Sequence, residues 1–228
     1  MKSALRNRLI ENVFLIGLLG TRKTTKWILE SHFKGISVYV NCWKYRSTHD
    51  ILCEILRGLG FIVHGIEYTS KLITRLEKLT RKKSIIVCSD EVGQLKNFDI
   101  LYTLARNECG LILISTSYHA LMDLVSRIKS SLALTEIEFP AYKPEELFDL
   151  MKDKVKFSFK PGTITKKLIR IASMAVERNT RIGLEILGRV GRKAESKGLK
   201  VPIKEIKQAI REAEKLKKSY FLSKLNEH

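Results

Sequence analysis

Short apolar runs rich in β-branched residues recur along the first 140 residues of the chain. Helical patterns or loops separate most of them, and this alternation predicts an α/β fold, a parallel sheet with helices on both faces. The five predicted strands are Val13–Ile16, Ile36–Val40, Ser84–Cys88, Leu111–Ser115 and Leu134–Phe139.

Apolar residues at helical spacing fill several of the other segments. In the first part of the chain they predict helices at Thr24–Phe33, His49–Leu59 and Thr69–Leu79. After Pro140 the strand-like runs disappear and helical periodicity continues, so we predict a domain boundary between residues 1–140 and residues 141–228. The predicted helices of the second region are Pro144–Val155, Thr163–Arg178, Arg181–Lys197 and Pro202–Leu225.

The charge of the chain is strongly positive. Its 228 residues include 42 Lys and Arg against 24 Asp and Glu, a formal net charge of +18. This excess favours a polyanionic partner such as DNA, although a lysine-rich solvated surface is the alternative explanation. Residues 141–228 hold 22 of the basic but only 11 of the acidic residues, so the helical region is the more basic per residue.

The cysteines and the N-terminal segment bear on the cellular compartment. The four cysteines form no C-x-x-C pair and have no nearby histidine at metal-ligand spacing, so neither zinc nor a disulfide framework is indicated. A reducing, cytoplasmic setting is the simplest inference. The apolar run after the first basic residues is too short for a secretory signal, and no stretch reaches transmembrane length, so no membrane partner is predicted.

A glycine-rich segment directly follows the first predicted strand. It matches the phosphate-loop pattern G-x-x-x-x-G-K-[ST] except that Arg22 stands where the last glycine is expected. In such a loop the backbone N–H groups and the lysine contact phosphates, and the hydroxyl after the lysine binds Mg²⁺. An ordinary buried strand and turn is the alternative. The predicted nucleotide contacts are Gly17, Gly20, Thr21, Arg22, Lys23, Thr24 and Thr25, with Thr24 also on Mg²⁺.

Two acidic residues follow the third predicted strand. Asp90 is in position to hold Mg²⁺, and Glu91 to polarise an attacking water, as in the Walker B motif. Taken alone, the pair favours the alternative of a solvated acidic turn. Because it occurs together with Lys23 and Thr24 in an α/β pattern, nucleotide binding is the better interpretation, with ATP or ADP and Mg²⁺ as cofactors.

Six blocks of sequence in a fixed order carry a family resemblance. They are Asn12–Gly17, Val38–Cys42 with Ile55–Gly60, Asp90–Leu95, Ser126–Leu132, Ile137–Tyr142 and Thr180–Leu187. In these blocks the chain resembles the archaeal origin-recognition and replication-initiator proteins, which are AAA+ ATPases. The resemblance implies a P-loop AAA+ sheet over residues 1–140, followed by a small all-α lid over residues 141–228.

The resemblance also implies three further site residues. Thr116 matches sensor 1, which helps to orient the attacking water and is usually asparagine in this family. Arg127 matches the arginine finger that reaches the γ-phosphate bound by a neighbouring subunit, and Arg181 matches sensor 2 of the lid, which contacts the γ-phosphate of its own subunit. A basic turn at Arg127 and a solvated helix position at Arg181 are the alternatives.

The chain departs from the family pattern near the expected site. Arg22 replaces a loop glycine, Ser89 an apolar residue and Arg178 a glycine, and together they predict a weak ATPase at most. The chain is also expected to consist of the AAA+ core alone, without the winged-helix domain that family members use to grip origin DNA.

The predicted function is therefore that of an archaeal replication-initiator-like AAA+ protein. Its nucleotide state would regulate its association with DNA, mainly through phosphate contacts, and with another initiator subunit. DNA contacts are expected from an insertion near residues 60–75 and from the lid, where a solvated basic face on Pro202–Leu225 is the alternative. Two alternatives for the whole chain are a non-catalytic DNA-binding or interaction protein and an AAA+ ATPase of a mobile genetic element.

Overall fold

The computed structural model of the chain describes residues 12–17, 32–33, 35–116, 130–140, 142–175, 180–196, 204 and 206–211. The chain divides into two compact units, Met1–Pro140 and Ala141–His228. Within the described parts of both units, no helix is long and apolar enough to cross a membrane.

The first unit is built on a five-stranded parallel sheet, which confirms the predicted fold class. The strand order is β2-β3-β4-β1-β5. The third strand begins at Ile86 rather than Ser84 and extends through Asp90, so the first of the two predicted site acids belongs to the strand itself. The strands are β1 (Val13–Gly17), β2 (Ser37–Asn41), β3 (Ile86–Asp90), β4 (Gly110–Ser115) and β5 (Thr135–Phe139).

Three helices of the first unit are described over their full length, together with one short 3-10 turn, and His32 and residues 130–132 are helical as well. Helix α1 (Thr48–Gly58) begins after Ser47, whose hydroxyl accepts a hydrogen bond from the Asp50 N–H at 3.2 Å and so caps the helix. Helix α2 spans Thr69–Thr80, and a 3-10 turn at Val92–Gln94 leads towards α3 (Asp99–Arg106). Helix α3 lies in a segment for which the sequence predicted no element.

The core of the first unit is apolar and lies between the sheet and these helices. Strands β1 and β2 alternate buried and partly buried residues, whereas all five residues of β3 are buried. A strand buried on both faces is typical of the centre of a parallel sheet. Fully buried members of the core include Phe14, Ile51, Leu52, Ile55, Leu56, Leu72, Leu76, Ile85, Ile100, Leu101 and Leu104.

The second unit is helical. Its helices are α4 (Pro144–Ser158), α5 (Lys166–Ala175) and α6 (Thr180–Ser196), and residues 206–211 are helical as well. Helix α5 begins later than the predicted Thr163, because Gly162 has a left-handed backbone with φ +85° and the next residues form a bend. The core consists of Leu147, Met151, Val155, Ile164, Leu168, Ile169, Ala172, Ile186, Leu187, Val190 and Ile206.

Candidate functional site

The carboxyl ends of β3, β4 and β1 lie side by side at one edge of the sheet. Asp90 ends β3 and pairs in register with Ile114 of β4, while Ser115 ends β4 and pairs with Ile16 of β1. Neighbouring strands are about 4.8 Å apart, so roughly 10 Å separates β3 from β1. Open α/β sheets bind their ligands beyond the carboxyl ends of the strands, which makes this edge the candidate site.

Asp90 is a buried carboxylate held in a fixed position. Its side chain is only 1% exposed, and the Tyr39 hydroxyl donates a hydrogen bond of 2.5 Å to its Oδ2. Its backbone oxygen accepts a hydrogen bond from the Cys42 N–H at 2.8 Å. The alternative of a solvated acidic turn is therefore wrong for Asp90, because its side chain is removed from water and hydrogen-bonded to Tyr39 instead.

Tyr39 is a residue of this site that the sequence did not identify. It lies on β2 and pairs in register with Cys88 of β3, which places it within reach of the carboxylate two residues further along β3. A tyrosine inside an apolar strand carries no signal of its own, since tyrosine is common in strands. Only the register between β2 and β3 reveals the contact.

Glu91 leaves the strand through an unusual backbone conformation. Its φ and ψ are 58° and 44°, in the left-handed region that residues other than glycine rarely adopt. The turn continues as the Gln94 N–H donates to the Glu91 oxygen at 2.9 Å, and Val92 is buried behind it. Such a conformation is costly for a residue with a β-carbon, so the surrounding structure must hold Glu91 in it, and the role of Glu91 stays a prediction.

Gly17 ends β1 in a position that has no room for a side chain. A β-carbon built there would lie 2.7 Å from Cβ and 3.2 Å from the backbone oxygen of Phe139, its partner on β5. The predicted contacts Gly20, Thr21, Arg22, Lys23, Thr24 and Thr25 lie outside the described residues.

The structure describes the three residues implied by the family resemblance to different extents. Thr116 directly follows β4 and is exposed at the same edge as Asp90. Arg127 lies outside the described residues. Arg181 lies in the first turn of α6, and its side chain is not among those described.

Asn12 links the starts of β1, β4 and β5, at the ends of these strands opposite to Gly17, and the sequence analysis assigned it no individual role. Its Nδ2 donates to the Leu132 oxygen at 2.6 Å, and its Oδ1 accepts from the Leu111 N–H at 2.9 Å. Its own backbone oxygen accepts from the Thr135 N–H at 2.9 Å. These bonds fix the starts of β4 and β5 against β1, and thereby the relative positions of their carboxyl ends.

The cysteines near the site are buried thiols. Burial, and next the negative charge of Asp90, raise the pKa of Cys42 to about 12, although a hydrogen bond with Ser89 opposes the shift. Burial also raises the pKa of Cys88 above its ordinary value. Both thiols are therefore protonated at neutral pH and are poor nucleophiles.

The described side chains contain no metal cage built from protein ligands alone. No group of three or more His, Cys, Asp and Glu side chains among them is placed to hold an ion. A magnesium ion bound with a nucleotide does not require one, because it takes one or two protein oxygens together with phosphates and water.

The fold and this edge define a class of protein. A parallel sheet ordered β2-β3-β4-β1-β5, with a glycine ending β1 and an acidic pair at the end of β3, is that of the AAA+ P-loop class. No protein-family model matches the chain.

Curated replication proteins are similar to the chain. The ORC1-type DNA replication protein 1 of Sulfurisphaera tokodaii is 31% identical over 229 residues, covering 90% of this chain and 57% of that protein. The ORC1-type DNA replication protein 2 of Methanosarcina mazei is 29% identical over 239 residues, covering 95% and 64%. The chain is similar to ORC1-type DNA replication proteins over most of its own length, which confirms the resemblance, and it spans little more than half the length of several such relatives.

Solved structures share the fold. The Cdc6p protein of Pyrobaculum aerophilum superposes with a TM-score of 0.78 at 21% identity, covering 93% of this chain and 64% of that one. The ORC1 protein of Aeropyrum pernix, solved in complex with DNA, gives 0.76 at 23% identity, covering 92% and 64%. The ADP form of the ORC2 protein of the same organism gives 0.75 at 18% identity, covering 92% and 65%.

Proposed function

We propose that the chain acts as the AAA+ part of a replication-initiator-like protein, binding ATP or ADP at the carboxyl edge of the sheet. The observation that carries the proposal is the buried carboxylate of Asp90 at the end of β3, two strands from Gly17. Lys23 and Thr24 follow Gly17 in the sequence at the spacing of a phosphate loop. A fixed carboxylate, together with a lysine and a hydroxyl that follow β1 in the sequence, is the donor set that a magnesium nucleotide requires.

Each residue has a proposed task in this site. Lys23 and the loop N–H groups bind phosphates, and the Thr24 hydroxyl and Asp90 hold Mg²⁺, which neutralises phosphate charge when bound. Tyr39 fixes the orientation of the Asp90 carboxylate through its hydrogen bond. Glu91 and Thr116 orient water at the same edge, while Arg181, and Arg127 from a second initiator-type subunit, contact the terminal phosphate.

DNA is the second proposed ligand. The net charge of +18 supports it, because Lys and Arg that neutralise DNA phosphates release counterions. The DNA complex of a fold relative and the ADP form of another support the same pair of ligands. The proposed role is nucleotide-dependent association with DNA, with contacts mainly to phosphates and a DNA-associated location.

Nucleotide binding is tested with a fluorescent ATP analogue, with and without Mg²⁺. Lys23→Ala is expected to weaken binding about 10- to 150-fold, the loss of one charge-assisted contact to phosphate. Asp90→Asn is expected to remove the gain in affinity that Mg²⁺ provides. Glu138→Gln, a carboxylate change on the exposed strand β5, is the matched control and should bind as the unsubstituted chain does.

Binding that is undetectable, or equal in the Lys23→Ala and Glu138→Gln variants, would overturn the nucleotide part of the proposal. Binding that depends on Lys23 but gains nothing from Mg²⁺ would remove only the role of Asp90. Circular dichroism of each variant confirms that the comparison is between folded proteins.

Arg22 favours a second candidate function, a DNA-binding AAA+ subunit without turnover. A glycine at this loop position lets the backbone approach the phosphates closely, and a side chain there would interfere with the phosphate positions that hydrolysis requires. In that case DNA affinity is the same with ATP, with ADP and without nucleotide, and Glu91→Gln changes nothing. DNA affinity that differs between ATP and ADP, together with phosphate release that Glu91→Gln abolishes, selects the first candidate.

A further inference from the structure

An exposed tryptophan lies in the loop between β2 and α1, residues 42–47, which we name the β2–α1 loop. Trp43 is 53% exposed, although tryptophan is highly buried on average in folded proteins. Its neighbour Tyr45 instead packs partly against the core of the first unit. The two aromatic side chains of one short loop therefore have different roles, and only Tyr45 serves the packing.

The β2–α1 loop is held rigidly by hydrogen bonds. The Asn41 Oδ1 accepts from the Trp43 N–H at 2.9 Å and from the Lys44 N–H at 3.3 Å. At the other end, the Lys96 N–H donates to the Arg46 oxygen at 3.1 Å. Trp43 is thus presented to solvent by an ordered backbone, and its indole loses little conformational freedom when it binds a partner.

One cation lies against the indole ring, and two more belong to the same loop or lie beside it. The Arg46 guanidinium lies 5.0 Å from the centroid of the Trp43 ring, and the Arg46 Nε–H also donates to the Trp43 oxygen at 3.2 Å. The Lys44 ammonium lies 4.9 Å from the centroid of the Tyr45 ring, and Lys96 is exposed beside the loop. The acidic groups near the loop include Asp50, bonded to Ser47, Glu54, near Lys44, and Asp90, near Cys42.

We propose that the β2–α1 loop is a binding site for single-stranded nucleic acid, with an unpaired base stacked on Trp43. Arg46 occupies one side of the indole, and about half of the side chain stays open to a base. Aromatic rings beside Lys and Arg bind single strands in this way, because every base has a face to stack and every nucleotide has a phosphate for a cation. Lys44, Arg46 and Lys96 supply the phosphate contacts.

Single strands suit this site better than a duplex. The bases of a duplex are stacked on one another, so an indole on the protein surface finds only the charged backbone. The inference rests on the DNA part of the proposed function and requires no bound nucleotide, because Trp43, Lys44, Arg46 and Lys96 have no role in the proposed nucleotide site.

The test measures binding of a labelled oligo(dT) of about 20 nucleotides, a length that exceeds one stacking site. Trp43→Ala is expected to weaken binding by about 5- to 150-fold, and Trp43→Phe by less, since a smaller ring still stacks. Phe157→Ala is the matched control: it removes an aromatic ring that is 90% exposed on α4, and it should leave affinity unchanged.

A second measurement reports on the stacking itself. The chain has two tryptophans, so in a Trp27→Phe background the intrinsic tryptophan fluorescence comes from Trp43 alone. We expect oligo(dT) to quench it and a 20-base-pair duplex to leave it nearly unchanged. Lys44→Gln and Arg46→Gln should each weaken binding and flatten its dependence on salt.

The outcomes separate this inference from the proposed function. Oligo(dT) binding that is equal in Trp43→Ala and the unsubstituted chain, without quenching, overturns the stacking site alone. An equal loss of affinity for oligo(dT) and duplex in Trp43→Ala overturns the preference for single strands. Quenching by an acidic peptide but not by oligo(dT) assigns the loop to a protein partner instead. No binding to either form of DNA removes this inference together with the DNA part of the proposed function, whereas loss of nucleotide binding alone leaves the stacking site in place.

Discussion

Strands β3 and β5 have the same length and run in the same sheet, yet their environments are opposite. All five residues of β3 are buried between β2 and β4, whereas all five of β5 are exposed. Among the described residues, β5 pairs only with β1. The candidate site thus takes its fixed carboxylate, Asp90, from the most buried strand, where neighbours on both sides limit motion. The edge strand contributes Phe139, which closes over Gly17.

The largest expected difference between the two strands is in stability. Ile86→Ala in β3 removes a side chain that is 2% exposed, and should lower the free energy of unfolding by about 2–5 kcal/mol. Ile137→Ala in β5 removes one that is 44% exposed, and should cost under about 1 kcal/mol. Urea unfolding of both variants measures the difference. Similar losses would mean that β5 is covered by a part of the chain beyond the described residues.

Asn12 tests how firmly the edge strand is joined to the centre. Asn12→Ala leaves the buried Leu111 N–H without its acceptor and frees the Leu132 oxygen, so we expect a loss of about 2 kcal/mol in the free energy of unfolding. Asn107→Ala removes only a bond to the Thr103 oxygen at the end of α3 and should cost less than about 1 kcal/mol. If the two variants unfold at the same urea concentration, Asn12 does not join the strands.

The stability of the first unit should also depend on alkaline pH, because its core contains the buried thiol of Cys109. Burial raises the pKa of Cys109 from 9.0 to about 12. Above pH 9 the unfolded chain releases this proton while the folded chain keeps it, so stability falls as pH rises from 9 towards 12. The loss is about 1.4 kcal/mol per pH unit. The free energy of unfolding of Cys109→Ala should fall less between pH 9 and pH 10 than that of the unsubstituted chain. An identical pH dependence in both proteins would contradict the burial of this thiol.

The smallest effect on stability is expected at the exposed edge. Glu136→Val replaces a charge on β5 and should change the free energy of unfolding by less than about 0.5 kcal/mol. Its effect should appear in self-association, because charged residues on an edge strand prevent pairing with another chain. Sedimentation velocity at increasing concentration compares this variant with Glu145→Val on α4, which should self-associate no more than the unsubstituted chain.

The sheet could be predicted from the sequence because its strands are short, β-branched and separated by clear breaks. Each predicted strand overlaps an observed one, and only the boundaries of β3 shift noticeably. Helix α3 was missed because its eight residues cover little more than two turns, too few to establish a helical period. The start of α5 was misplaced because the left-handed backbone of Gly162 does not interrupt an apolar pattern.

The candidate site was predictable only where its chemistry coincides with a strand end. Asp90 and Glu91 are recognisable as acids after an apolar run, and their place at the carboxyl edge follows from the parallel sheet. The hydrogen bond from Tyr39 to Asp90 joins residues 51 positions apart and depends on the register of two strands, which no local pattern encodes. The left-handed backbone of Glu91 is likewise a tertiary constraint that outweighs local preference.

Gly17 has a consequence for how related sequences are interpreted. Phe139 excludes a β-carbon at this position whether or not phosphate ever binds beyond it, so sheet packing alone is sufficient to retain the glycine. A relative that has stopped binding nucleotide would therefore keep Gly17 and lose Lys23 or Thr24 first. A glycine at this position therefore reports on the packing of β1 against β5, and it is not by itself a sign of nucleotide binding.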